Sequence, residues 1–214
     1  MKTRHDNGRW GLLAAVAIAL LMLGWTSTAA AQSVDDASRL MSQWQIEDAG
    51  EMIDALAERE PDSAGVQFLR ARHDFLSGRY DNALSRLDQL LHNTDARGEW
   101  EHFRKLVSNT RKVTEKYEKY TSDSGRFEIY VEPGKDRVLV PYAAEALDKA
   151  YEAIGEELGY RPKTPIRVEV YPQTATLAQV SGLTNEEIRT SGTIALCKYN
   201  RLMITSPKAL MQGY

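Results

Sequence analysis

The feature that most constrains this chain is an internal repeat with a period of 34 residues, within positions 34–93. The segments 42–49 and 76–83 align at this offset. The aligned pairs are Ala37 with Ala71, Ile46 with Tyr80, Ala49 with Ala83, Ile53 with Leu87, and Leu56 with Leu90. Each unit has the apolar spacing of two amphipathic helices, with alanines where the helices would cross. The period therefore predicts two stacked helical hairpins.

The residues between the paired helices predict tight turns. Gly78 can end a helix with a positive φ, and Tyr80 begins the next helix two residues later. In the first unit Trp44 occupies the position where a glycine is expected, and Pro61 closes the unit. With the 34-residue period, these residues resemble the tetratricopeptide repeat. The resemblance implies that the helical repeats bind a protein or peptide partner.

Two hairpins rarely bury a stable core alone, so a third element must cap them. Residues 97–120 are predicted to form one long capping and linking helix, because apolar residues recur there at steps of three and four. These residues are Trp100, Phe103, Leu106, Val107, Val113, Tyr117 and Tyr120. The polar, glycine-containing segment 121–125 then predicts a domain boundary.

The pattern after residue 125 predicts a partial sheet with helices, in residues 124–214. Alternating apolar residues predict strands at 126–131 and 165–171, and helical spacing predicts helices at 140–158, 174–180 and 184–188. A hairpin over 193–205, with its turn at Asn200 and Arg201, follows. The lone Cys197 in this hairpin is expected to be a small buried hydrophobe. The overall fold class is therefore α+β.

Residues 1–31 have the layout of a secretory signal peptide. Lys2, Arg4 and Arg9 precede an apolar stretch at 10–25, and Ala29 and Ala31 form the small-residue cleavage pattern. The prediction is an exported protein, periplasmic or secreted, that meets the membrane only transiently through this segment. An uncleaved membrane anchor is the alternative.

Charge and histidine spacing exclude some classes of function. The formal net charge is −3, and the basic residues of segment 97–120 alternate with glutamates, so no nucleic-acid partner is predicted. His73, His92 and His102 lack a second histidine four residues on, so no helical zinc pair is present. No catalytic residue, metal ligand or cofactor is assigned within these residues.

Four segments of residues 124–214 are distinctive: Ser-Gly-Leu at 181–183, Glu-Glu-Ile at 186–188, Thr-Ser-Gly-Thr-Ile-Ala at 190–195, and the stretch 200–207 that ends in Ser-Pro. With these segments, residues 124–214 resemble the opening of a peptidase MA-like domain, a zinc metallopeptidase of the gluzincin type. The resemblance implies an edge strand that holds an extended peptide substrate by main-chain hydrogen bonds. The residues expected to line that site are Gly192, Thr193, Ile194 and Ala195. It also implies zinc, but only where an H-E-x-x-H helix follows, and none occurs in this sequence.

Two hypotheses of different classes follow. In the first, the chain is the N-terminal portion of an exported zinc metallopeptidase-like protein with a repeat-based protein-binding region. These 214 residues by themselves are then expected to have no peptidase activity. In the second, it is a complete, non-catalytic envelope protein that acts as a binding scaffold. An ordinary sheet edge without a ligand is the alternative for residues 192–195.

Overall fold

The computed structural model of the chain describes residues 33–93 and 98–211. These residues form an α+β fold, as predicted, with helical hairpins followed by a mixed five-stranded sheet. The helices are α1 (Val34–Ser42), α2 (Ile46–Arg59), α3 (Ala64–Leu76), α4 (Tyr80–Asn93), α5 (Glu99–Thr114), α6 (Val140–Leu158), α7 (Thr174–Ser181), α8 (Asn185–Ser191) and α9 (Pro207–Met211). The strands are β1 (Glu118–Thr121), β2 (Phe127–Val131), β3 (Ile166–Tyr171), β4 (Ala195–Lys198) and β5 (Arg201–Thr205).

The signal-peptide prediction concerns residues 1–31, which lie outside the described ranges. Between residues 33 and 211, apart from 94–97, none of the helices has the length and hydropathy that a membrane span requires. Export therefore stays a prediction from the sequence.

The two helical hairpins repeat with the period read from the sequence. Helices α2 and α4 begin and end 34 residues apart, and all ten residues paired by the repeat are buried. The first hairpin, α1–α2, encloses a core around Ile53 and Leu56, to which α3 contributes Val66 and Leu69. Small alanines lie at the helix crossings because only a small side chain allows the backbones to approach closely.

The turns inside the two hairpins share one hydrogen-bond pattern. The Gln45 N–H donates to the Leu40 carbonyl at 3.0 Å, and the Arg79 N–H donates to the Asp74 carbonyl at 2.8 Å. This bond across five residues is the mark of a helix end that turns through a left-handed residue. That residue is Trp44 (φ 62°) in the first hairpin and Gly78 (φ 74°) in the second.

The capping helix is shorter than predicted. Helix α5 ends at Thr114, and residues 118–121 form strand β1, which pairs antiparallel with β2. Tyr120 therefore packs with the apolar side of the sheet instead of continuing a helix face. The three- and four-residue spacing misled here because a tyrosine in a strand can fall at a helical interval by coincidence. Residue 97 lies outside the described ranges.

The sheet has the order β1-β2-β3-β5-β4, with parallel pairing in the centre and antiparallel strands at both edges. Helix α6 covers one face, packing against Ile129, Val168 and their neighbours. Helices α7 and α8 cover the opposite face, where Tyr171 and Met203 are buried. The tip of the second hairpin also reaches this second face.

The predicted β-hairpin is present, with two corrections. Its turn is formed by Tyr199 and Asn200, one residue earlier than predicted, and both have positive φ (56° and 57°). A two-residue hairpin turn of this kind requires positive φ at both positions. The expectation that Cys197 is buried was wrong, because Cys197 lies on the α6 side of β4, beyond the area that α6 covers, and is exposed.

Candidate functional site

The four residues predicted to line a peptide site lie at the start of the edge strand β4, but only Ala195 belongs to the strand. Gly192 ends α8 with φ 64°, and Thr193 donates its N–H to the Ile188 carbonyl at 3.1 Å. Ile194 is 46% exposed and extends the strand pairing, since its carbonyl accepts a hydrogen bond from the Thr205 N–H at 2.8 Å. Gly192 and Thr193 therefore form the entry to the strand.

The outer edge of β4 has main-chain groups that β5 does not use. Pairing of Ile194 with Thr205 by a hydrogen bond makes the next pair, Ala195 with Ile204, a non-hydrogen-bonded pair in an antiparallel ladder. The same holds for Cys197, two residues on. The N–H and C=O groups of Ala195 and Cys197 therefore point away from β5, and no strand among the described residues pairs with them.

The two edges of the sheet differ in how they are protected. Strand β1 carries Glu118 and Lys119; Arg137 lies 3.2 Å from Glu118, and Lys119 pairs with Glu128. Charged side chains of this kind discourage a further strand from adding to an edge. Strand β4 carries one charge, Lys198, whose Nζ donates to the Ser181 carbonyl at 2.7 Å. Of the two edges, β4 is the one open to an additional strand.

The turn next to β4 is held by the second helical hairpin. The Tyr199 ring packs edge-on against Phe75 of α3, with ring centroids 5.2 Å apart. The Asn200 side-chain amide donates to the Leu76 carbonyl at 3.3 Å, at the end of α3. Lys198 and Tyr199 both contact the Ser181 carbonyl at the end of α7. The edge strand is therefore braced against two helix ends.

A buried charged cluster lies beneath this turn, centred on Glu169 of β3. The Glu169 side chain is fully buried. Its carboxylate accepts hydrogen bonds from the Tyr80 hydroxyl (2.5 Å), from the Tyr171 hydroxyl and from Arg167 Nε (2.6 Å). Its second oxygen lies 3.1 Å from Arg201 Nε. The cluster therefore connects the first residue of α4 to β3 and β5.

The pairing register explains why a carboxylate is needed at this position. Arg167 and Arg201 are direct partners on the parallel strands β3 and β5, so two cations lie side by side on one face. Glu169, two residues along β3, is on the same face and reaches both of them. A buried cation is strongly destabilising unless it is paired, so Glu169 compensates both guanidinium groups.

Arg201 is held mainly between aromatic rings. Its guanidinium carbon lies 4.9 Å from the ring centre of Phe75, 5.3 Å from that of Tyr80 and 5.4 Å from that of Tyr199. Its three guanidinium nitrogens are buried and have no hydrogen-bond acceptor among the described residues; the contact with Glu169 has the distance of an ion pair without the alignment of a hydrogen bond. Ring faces stabilise such a cation electrostatically.

The cluster keeps its charges at neutral pH. Burial alone would raise the pKa of the Glu169 carboxyl, but Arg201 and Arg167 outweigh it and hold that pKa below the ordinary value. Burial, reinforced by Glu169, raises the pKa of the Tyr171 hydroxyl, and burial is also the main reason why the pKa of Tyr80 is raised. Both tyrosines therefore remain protonated donors to an ionised Glu169.

None of these five residues was predicted from the sequence to be a site residue, although a signal for three of them is present. Arg167, Glu169 and Tyr171 alternate with valines in a strand, which places all three on one face. A carboxylate between apolar residues in the middle of a strand predicts a buried partner. The identity of that partner could not be read, since Tyr80 is 89 residues away in the chain.

The zinc that the peptidase resemblance implies has no fitting donor set in the described part of the chain. Among residues 33–93 and 98–211, no group of three or more His, Cys, Asp or Glu side chains is arranged to hold a metal ion. The edge strand β4 contributes Cys197 alone. The site described here can bind main-chain groups, and no chemical step is assigned to it.

No family model, curated protein or solved structure matches this chain. The tetratricopeptide and peptidase MA-like resemblances rest on the residues quoted above and therefore remain hypotheses.

Proposed function

We propose that the chain binds an extended peptide or protein segment along strand β4, as a sixth strand of the sheet. The observation that carries this proposal is the open edge of β4, where Ala195 and Cys197 direct unused main-chain groups outward. An extended chain can satisfy these groups with main-chain hydrogen bonds, while exposed side chains such as Ile194 give specificity.

The bracing of β4 supports this function. Adding a strand to a mobile edge requires that the edge be ordered first, which weakens binding. Here the adjoining turn is fixed by Phe75 and Leu76 of α3, and β5 is fixed through Arg201 and Glu169. The edge is therefore preorganised for a partner strand.

The helical hairpins belong to the same proposal. Their 34-residue period and shared turn geometry support a tetratricopeptide-like scaffold, which would offer a second contact surface to a protein partner. The N-terminal signal pattern predicts that this binding occurs in an exported protein. If the resemblance to peptidase MA-like domains reflects common ancestry, the bound segment would be a peptide substrate, and cleavage would need a zinc site that the described residues do not contain.

A proline substitution tests the edge directly. Ala195→Pro removes an outward N–H at the first residue of the strand, the strand position that tolerates proline best. Peptides selected from a random library for binding to residues 33–214 serve as probes in fluorescence anisotropy. We expect affinity to fall roughly fivefold, because one main-chain hydrogen bond contributes about 1 kcal/mol.

Ala195→Thr is the matched control, since it keeps the N–H and suits a strand. It should bind the same peptides within about twofold of the unchanged protein. Hydrogen exchange of the complex gives an independent readout, in which the Ala195 and Cys197 amides should become protected. Peptides that bind Ala195→Pro normally and protect only helical amides would place the binding surface on the helical hairpins instead.

The alternative hypothesis of a working peptidase has its own test. For these 214 residues we expect neither stoichiometric zinc nor peptide cleavage. Metal analysis of the purified protein and a cleavage assay with and without a chelator measure both. Chelator-sensitive cleavage would replace the binding proposal with a catalytic one.

A further inference from the structure

A cleft of about 530 Å³ lies on the α7 side of the sheet, away from β4. Its floor is at the carboxyl ends of two neighbouring parallel strands, where Glu132 follows β2 and Pro172 follows β3. One wall is the last part of α5 with Asn109 and Lys112, and the other is α7 with Thr176 and Gln179. The volume is in the range of small-molecule sites.

The topology of the sheet accounts for this cleft. The chain leaves the end of β2 toward α6, which packs on one face, and leaves the end of β3 toward α7, which packs on the other. Two neighbouring parallel strands whose connections go to opposite faces leave a crevice between their carboxyl ends. This is the position at which open α/β sheets bind ligands.

The polar groups of the cleft are not satisfied by one another. The side chains of Asn109, Thr176 and Gln179 form no hydrogen bond with any described residue. Tyr117 also lines the cleft, but its hydroxyl is buried and has no hydrogen-bond partner within the described ranges. The side chains of Asn109, Thr176 and Gln179 are therefore the neutral polar groups available to a ligand.

The cleft also carries two opposite charges on different walls. Lys112 comes from α5 and Glu132 from the end of β2, and neither forms an ion pair with a described residue. Other surface charges nearby are paired, for example Arg111 with Asp81 at 2.5 Å. Two opposite charges that line one cleft without neutralising each other complement a ligand that carries both.

We propose that this cleft binds a small zwitterion of amino-acid or dipeptide size. Lys112 would bind its carboxylate, and Glu132 would bind its ammonium group. Asn109 and Gln179 would contact polar groups between the two ends.

Calorimetric titration of residues 33–214 tests the proposal with free L-amino acids and simple dipeptides as probes. At least one probe should bind with a dissociation constant at or below about 1 mM, the weak end of specific binding. Its N-acetyl derivative and its methyl ester, which each lack one charge, should bind at least about tenfold more weakly. Glucose and N-acetylglucosamine, which have similar size and no charge, should not bind.

Single substitutions assign the two ends. Lys112→Gln should remove the preference for the free acid over the methyl ester, and Glu132→Gln the preference for the free amine over the N-acetyl form. Lys116→Gln, an exposed lysine close to Lys112 that does not line the cleft, should change neither. The proposal is overturned if no zwitterion binds, if a sugar binds more tightly, or if the three variants behave alike.

Discussion

The two helical hairpins have the same internal geometry and different surroundings. The first packs against α3 through an apolar core. It is also linked to the segment before β3 by an exposed hydrogen bond, in which the Thr164 hydroxyl donates to Glu47 at 2.8 Å. The second packs against α5 and, through Tyr199, against the β4–β5 turn. One unit of the repeat has thus become part of the sheet's core, whereas the other remains peripheral.

The turn residues show what this difference demands. Trp44 and Gly78 both have a left-handed backbone, but a side chain at Gly78 would place its Cβ 2.6 Å from Arg167 Nη1. Glycine is therefore required there for two reasons, conformation and space. At Trp44 only the backbone conformation is constrained, because its side chain is 56% exposed and no neighbour competes for its space. A bulky residue with this φ is strained, yet the site has room for it.

The first residues of α2 and α4 differ in the same way. Ile46 is buried in the first hairpin, and its side chain carries no polar group. Tyr80, its counterpart, is equally buried but donates its hydroxyl to Glu169 of β3. A position that serves helix packing in one unit anchors the sheet in the other.

Of the substitutions that test this difference between the two hairpins, Glu169→Gln should change protein stability most. The substitution keeps the shape of the side chain but leaves the buried Arg201 and the partly buried Arg167 without a counter-charge, so we expect a loss of about 3–5 kcal/mol in the free energy of unfolding. Glu47→Gln, at the exposed link of the first hairpin, should change stability by less than about 1 kcal/mol. Urea unfolding followed by circular dichroism measures both, and equal losses would contradict the contrast.

The pH dependence of stability tests the contribution of Glu169 in a second way. The pKa of Glu169 is held below its ordinary value of 4.5 in the folded protein, so the unfolded state binds the proton first. The stabilisation from this group is complete above pH 4.5 and is lost as the pH falls through the lower, folded pKa. The stability difference between the unchanged protein and Glu169→Gln should therefore shrink below pH 4.5. A difference that stays constant would contradict this assignment.

Gly78→Ala should destabilise by about 2–3 kcal/mol, because it combines a left-handed alanine with displacement of Arg167 from Glu169. Gly159→Ala is a suitable control: Gly159 also ends a helix with positive φ (63°), and a Cβ there meets nothing within 4 Å. It should lose only the conformational part. Thermal unfolding compares the two, and a loss at Gly78 no larger than at Gly159 would show that the close approach is unimportant.

Trp44→Gly should have the smallest effect and the opposite sign. Relief of the strained φ should stabilise by up to about 1 kcal/mol, reduced by the entropy that glycine gains in the unfolded chain. Trp44→Ala, which keeps the strained φ and removes the indole, separates the two contributions in the same thermal assay. Destabilisation by Trp44→Gly without destabilisation by Trp44→Ala would mean that the backbone at this position is not under strain.

Local and periodic features of this fold could be predicted from the sequence. The 34-residue offset located both hairpins because alanines and apolar residues recur at each crossing, and helix 140–158 was predicted at the observed bounds. The end of α5 was missed because Tyr117 and Tyr120 continue a helical spacing by coincidence. The prediction that Cys197 is buried was wrong, because alternation of apolar residues predicts which side chains share a face of the sheet but not whether a helix covers that face.

The candidate site was predictable only in part. The edge strand was located within a few residues, since the alternation and the turn near Asn200 are local signals. The cluster that braces it depends on Tyr80 meeting Glu169, and no local pattern encodes a contact between a helix start and a strand so far apart. The left-handed backbone at Trp44 was likewise recognisable only by alignment with Gly78.

Native-state hydrogen exchange of the unchanged protein and of Tyr80→Phe tests the central claim most directly. If the second hairpin and the sheet form one cooperative unit, amides at Leu87 in α4 and Val168 in β3 should share one opening free energy, and Tyr80→Phe should lower both by about 1.5–3 kcal/mol. The amide of Ile53 in α2 should open at a lower free energy and shift by less than about 0.5 kcal/mol. A drop at Leu87 without one at Val168, or an equal drop at Ile53, would contradict the account.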